Sequence, residues 1–139
     1  VFIVVALDQI SKYSVQQIYD NSNSTLFFGF LKINIVRNYG AAFNILSQYP
    51  LFLASLSTLV TIFMTVIILR KHKFNLLKGL GFAFLLGGTI GNGIDRLRLG
   101  HVIDFIELLP INFPIFNIAD ISINIAIICF IIDIIKTKD

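Results

Sequence analysis

One cysteine, Cys129, stands in a chain of 139 residues, so an intramolecular disulfide is excluded. Its place inside an apolar run makes it a packing thiol rather than a nucleophile. Only two histidines occur, His72 and His101, far apart and without an HExxH or Cys/His spacing, which leaves a zinc site unsupported and predicts no metal and no cofactor. No internal repeat is visible, against an inverted-repeat carrier. No basic stripe interleaves with exposed aromatics, against nucleic acid as a partner, although the net charge is +3. The chain begins Val-Phe-Ile without an initiator Met, and a few residues are expected to precede it. A signal peptide at this end is disfavoured by Asp8 and Lys12 within the apolar segment and by the lack of a small-residue cleavage site.

What the chain has in abundance is apolar surface. Hydrophobic residues make up 56% and mean hydropathy is +0.85, with the apolar residues in long runs. This implies an integral membrane protein. The pattern predicts a mainly α membrane fold with four transmembrane helices at about 1–18, 51–69, 76–95 and 115–135, and a small extracytoplasmic sheet at about 26–47, between helices 1 and 2. All of it forms a single domain over 1–139.

The first segment carries Asp8, Lys12 and Gln16 four apart, along one helical stripe. Acid before base at this spacing reads as a self-neutralising pair that lowers the cost of insertion, with direct chemistry as the other reading. A polar turn follows over 20–25, Asp20 being a solvated loop acid. Then Leu31, Ile33 and Ile35 alternate with Lys32 and Asn34, the period of a half-buried strand. Phe27, Phe28, Phe30 and Phe43 suit a sheet lying on the membrane surface. Residues 51–69 are uncharged and about the length that a bilayer core demands. Arg70, Lys71, His72, Lys73 and Lys78 follow, and Lys136 and Lys138 close the chain. By the positive-inside rule both regions are cytoplasmic, with both termini, and the connections over 26–47 and 96–116 lie outside. Gly79, Ala83, Gly87 and Gly91 form a smooth ridge for close helix packing on the third span. Asp133, with Lys136 three residues on, is expected to be a snorkelling interfacial charge.

Four acids crowd the reach from Gly87 to Asp120. Asp95 has Arg96 beside it and Asn92 one turn back, which suggests a structural ion pair or hydrogen-bond anchor. Asp104 and Asp120 have no Lys or Arg within a helical turn, unlike Asp95, and stand at opposite ends of a connection that could fold them face to face. Two close carboxylates cannot both ionise cheaply, so one keeps a proton and the pair supplies an acid and a base. Ser11 and Lys12 are adjacent and point apart on a helix, a poor serine–lysine dyad. GNGID does not match GxGD, because its acid falls one residue late. Near-membrane acids also serve proton relays, so a peptidase and a proton-coupled membrane transporter both remain open on these grounds. A non-catalytic assembly protein packing through its glycine ridge is the third reading.

The motifs narrow the choice. DQISK at 8–12 resembles DQxxK, NYGAAF at 38–43 resembles NxGxAF, and GNGIDR at 91–96 is similar to GNxxDR. GHVIDF at 100–105 and FNIAD at 116–120 are similar to GxVxDF and FNxAD. In this order they resemble the lipoprotein (type II) signal peptidases of bacterial cytoplasmic membranes. The resemblance implies an aspartic endopeptidase that removes the signal peptide from a diacylglyceryl-modified prolipoprotein, on the N-terminal side of the lipidated cysteine. It implies Asp104 and Asp120 as the catalytic pair, near the extracytoplasmic face. It makes Asn38, Gly40, Asn92, Arg96 and Asn117 candidates for positioning the substrate or the pair, and Asp8, Lys12 and Asp95 supporting ion-pair members. Its implied partners are the precursor and membrane lipid, with the enzyme a monomer. The 106–114 segment lacks Trp, and no specific residue is assigned there.

Overall fold

The computed structural model describes residues 1–18, 25–27, 29–41, 45–70, 73–109, 111 and 113–137. Residues 20–24 of the polar turn expected over 20–25, together with Phe28, Ala42, Phe43, Lys71, His72 and Lys138, lie outside the described residues, and Thr25 belongs to a strand instead. The elements run α1 (Phe2–Ile18), β1 (Thr25–Phe27), β2 (Leu31–Asn38), α2 (Pro50–Arg70), α3 (Leu76–Leu99), β3 (Val102–Leu108) and α4 (Ile118–Lys136).

α2 and α4 are long and apolar enough to cross a membrane, each with a hydropathy of 2.4. α1 is 17 residues and carries Asp8 and Lys12, while α3 is diluted by glycines and by Asn92, Asp95, Arg96 and Arg98. Large apolar side chains face outward, among them Leu51, Leu59 and Phe63 of α2. An apolar exterior around a polar interior is the arrangement that lipid favours.

α3 is the hub, in contact with every other helix. Its N-terminus is capped by Asn75, whose side chain accepts from the Lys78 amide at 2.8 Å. Gly100 ends it in the left-handed region at φ 75°, with its amide on the Arg96 carbonyl. Glycine is required where α3 meets its neighbours. A Cβ on Gly88 would stand 2.5 Å from the Ala119 carbonyl oxygen of α4, and one on Gly91 would stand 2.6 Å from Asp8 Oδ2 of α1. The expected ridge is used only in part. Gly87 and Gly91 meet α1, whereas a Cβ on Gly79 would find only Phe74 of its own chain segment, at 3.9 Å.

The sheet is three-stranded and antiparallel in the order β1-β2-β3. It therefore takes a strand from the connection between α3 and α4, where the sequence suggested only a loop between helices. The reason is burial: Val102, Ile103, Asp104 and Phe105 are all buried, so both faces of β3 are covered and its residues do not alternate. The boundaries differ as well. α3 runs to Leu99, and α4 begins at Ile118 because Asn117 is its cap. Asp133 is not a snorkelling charge. It is 3% exposed, bonded to Asn75 and 3.2 Å from Lys78 Nζ, and it ties the end of α4 to the start of α3.

Candidate active site

Three elements converge where α3 ends. α4 opens with a capping box in which the Asn117 side chain accepts from the Asp120 amide at 3.0 Å and Asp120 Oδ2 accepts from the Asn117 amide at 3.2 Å. Asp120 is thus held in the first turn, where the helix dipole favours a negative group. β3 brings Asp104 opposite Val36 of β2. Asn117 Nδ2 donates to Asp104 Oδ1 at 2.7 Å, so one asparagine joins the two acids.

Each carboxyl oxygen of the pair accepts at least one hydrogen bond. Asn38 Nδ2 donates to Asp104 Oδ2 at 2.9 Å, and Asn92 Nδ2 donates to Asp120 Oδ1 at 2.8 Å. Asp104 is 2% exposed and Asp120 is half-buried, and both line one cavity of about 540 Å³. Burial pushes the Asp104 carboxyl up to about 6; the Asn38 hydrogen bond opposes this and the nearby Asp120 charge adds to it.

Behind the pair lies a buried, charged support. Lys12 Nζ lies 2.8 Å from Asp8 Oδ2 and 2.9 Å from Asp95 Oδ2, and donates to Asn92 Oδ1 at 3.1 Å. Asn92 Oδ1 also accepts from Asn117 Nδ2 at 3.0 Å. With two donors on its oxygen, the Asn92 amide can turn only its NH₂ to Asp120. Asp8 is 0% exposed and accepts from the Ala119 amide at 2.9 Å, satisfying an otherwise orphaned donor at the α4 N-terminus.

Asp95 takes its partners from other elements and not from the neighbours the sequence pointed to. Adjacent residues on a helix diverge, so Arg96 points away while Asp95 takes Lys12, the Ile103 amide at 3.1 Å and Gln9 Nε2 at 3.0 Å. Arg96 Nη2 instead donates to the Gly40 carbonyl at 3.1 Å, and Nη1 to Ser57 Oγ at 3.4 Å. Gly40 in turn donates its amide to Asn38 Oδ1 at 2.9 Å, which fixes the Asn38 side chain toward Asp104. Two members of this set were given no role from sequence. Gln9 bridges Asp8, Asp95 and the Gly91 carbonyl, and its position inside DQISK was the available signal. Ser57 lies in the uncharged stretch 51–69 of α2 with nothing to mark it.

Glu107, the fourth acid, stands apart on the sheet, accepting from Asn34 at 2.9 Å with Lys32 at 3.4 Å. Among the described residues no group of three or more His, Cys, Asp or Glu is arranged to hold a metal ion. The cavity is mixed in character. Asn38, Asn92, Arg96 and the two aspartates line it together with Leu53, Leu56, Val60 and Ile123.

Known proteins resemble this chain in sequence and in fold. Residues 1–136 match the family described as signal peptidase (SPase) II. A lipoprotein signal peptidase of Parasynechococcus marenigrum (strain WH8102) is 46% identical over 133 residues, 95% of this chain and 84% of the relative. One from Enterococcus faecalis (strain ATCC 700802 / V583) is 37% identical, over 94% of this chain and 81% of its own. A solved bacterial membrane enzyme, determined by the in meso method at 2.3 Å, superposes with a TM-score of 0.89 at 34% identity, covering 99% of this chain and 86% of that one. Agreement in sequence and in fold across nearly the whole chain puts this protein in the signal peptidase II family.

Proposed function

We propose that the chain is a membrane aspartic endopeptidase that cuts prolipoproteins on the N-terminal side of the diacylglyceryl-modified cysteine, with Asp104 and Asp120 as its catalytic pair. The observation that carries this is the joining of the two carboxyls through Asn117 on the wall of a single cavity. Asp120, at the N-terminal end of α4 with amide donors on both oxygens, is the charged member. It takes a proton from the attacking water. Asp104, buried and with its carboxyl near 6, holds the proton that goes first to the carbonyl oxygen and then, through the pair, to the departing amine. No covalent intermediate forms. Arg96, Asn38 and the Asn92 amide orient the pair and the substrate backbone, and Lys12, Asp8 and Asp95 hold them from behind.

All four helices cross the bilayer of the bacterial cytoplasmic membrane as a monomer, with both termini inside and the catalytic pair near the outer face. Arg70, Lys73 and Lys136 at the opposite end support that orientation. The transporter alternative lacks rungs. Among the described residues, no ionisable side chain lies between Asp95 and Lys78 on α3 or between Asp120 and Asp133 on α4, apart from the Cys129 thiol. The test is product analysis. Mass spectrometry of a precursor incubated with the purified protein should find one cut, before the lipid-modified cysteine. Equal cleavage of the unmodified precursor would reject the substrate assignment.

A further inference from the structure

Two polar side chains on the cavity wall are not used by the site just described. Asn124 lies one turn after Asp120 on α4, and Thr89 lies just under one turn before Asn92 on α3. Asn92 meets Asp120 while Lys78 meets Asp133, so the two helices are antiparallel and both displacements run the same way. At about 1.5 Å per residue, Asn124 and Thr89 lie roughly 6 and 4.5 Å beyond the catalytic pair, at matching depth on two helices. Asn124 is exposed and Thr89 half-buried, and no side-chain hydrogen bond joins either to another described residue. The contrast within the molecule is clear: Thr58, Thr61 and Thr65 of α2 each donate to a carbonyl one turn back. An amide without a partner in so apolar a helix is costly, and polar groups at such depth mark binding paths.

The substrate supplies what these groups lack. For the pair to reach a peptide carbonyl, the end of the signal helix must unwind, which frees backbone N–H and C=O groups inside lipid that need partners. An extended chain advances about 3.3 Å per residue, so 4.5–6 Å corresponds to the peptide unit roughly two residues upstream of the cut. An asparagine amide offers one donor face and one acceptor, the complement of a peptide unit, and a threonine hydroxyl can donate to the same carbonyl.

We infer that Asn124, with Thr89 opposite, binds the backbone of the unwound signal-peptide turn about two residues before the cleaved bond. This subsite reads the main chain and tolerates varied side chains there. It rests on the assignment of Asp104 and Asp120 as the pair that cuts.

The experiment compares the wild type, Asn124→Leu and Thr89→Val in lipid, using a synthetic diacylglyceryl-modified precursor. A second series replaces successive upstream peptide bonds by esters, each removing an N–H. Asn124→Leu should raise KM roughly three- to tenfold with little change in kcat, as loss of a ground-state contact does. Its thermal stability should be equal or higher, because an apolar residue replaces an unpaired amide. One ester, about two residues before the cut, should penalise the wild type and not the leucine variant. An unchanged KM overturns the inference, as does a lowered stability with KM intact. Esters that penalise wild type and variant alike overturn it too, since Asn124 would then contact something other than the backbone. An inactive Asp104→Asn beside any of these results leaves the catalytic assignment standing; an active one removes that assignment and this inference together.

Discussion

Replacing Lys12 by Met puts the buried support to its hardest test. Lys12 is 2% exposed and lies within 3 Å of both Asp8 Oδ2 and Asp95 Oδ2. Those two oxygens are therefore within about 6 Å of each other, and at an effective dielectric constant near 20 their unscreened repulsion is about 3 kcal/mol. Removing one partner of a buried ion pair costs about 3–5 kcal/mol in general, a similar magnitude. For a chain of this size that corresponds to a fall in Tm of roughly 10 °C or more, read by thermal unfolding in detergent. Asp8→Asn added to Lys12→Met removes one of the stranded charges and should recover a good part of the loss. Catalysis should suffer separately. With Lys12 gone, the Asn92 oxygen loses one of its two donors, its NH₂ is no longer obliged to face Asp120, and kcat should drop on the order of 10- to 100-fold below the melting range. A fall in Tm under about 3 °C with normal kcat would refute the claim that this cluster holds either the fold or the pair.

Other outcomes follow from the same geometry. If Asp104, with its carboxyl near 6, holds the proton as proposed, kcat/KM should fall about tenfold per pH unit above that value. Asn38→Ala removes a donor that favours the ionised carboxyl, so the alkaline limb should move to higher pH; a limb that moves down or stays would contradict the assignment of the proton to Asp104. Gly91→Ala would bring a methyl group to 2.6 Å from Asp8 Oδ2, and the forced shift should cost about 1–3 kcal/mol in unfolding experiments, with cleavage impaired. Asp133→Asn, at the far end of the bundle, should lower stability by about 1–3 kcal/mol and leave the kcat of the folded enzyme unchanged; a large kcat effect would link that end to the site in a way the contacts do not.

Sequence patterning carried the fold a long way, and its misses share a physical cause. Residues 51–69 are marked by length and lack of charge alone, and α2 spans Pro50–Arg70. β2 announced itself because one face is apolar and the other polar. β3 did not, because a strand covered on both faces has no alternation to read. Arg96 beside Asp95 suggested a pair along the chain, whereas a helix turns neighbouring residues apart and the true partner, Lys12, lies on another helix 83 residues away. The same limit hid the burial of Asp133, whose partners Asn75 and Lys78 are brought to it only by the antiparallel packing of α3 and α4. Within the site, the residues singled out by the motifs form one connected set of contacts from Asp8 to Asp104, through Lys12, Asn92 and Asn117. Those motifs gave the members. The order of the links, and the part of Gln9 and Ser57 in them, needed three dimensions.

The most direct measurement is cleavage of a lipid-modified precursor by Asp104→Asn and Asp120→Asn, each first shown to be inserted and to melt within a few degrees of the wild type. Either amide leaves the volume and most hydrogen bonds of the site in place while denying it a transferable proton, so each variant should lose at least a thousandfold in kcat. Turnover near the wild-type rate by either folded variant would contradict hydrolysis by this pair.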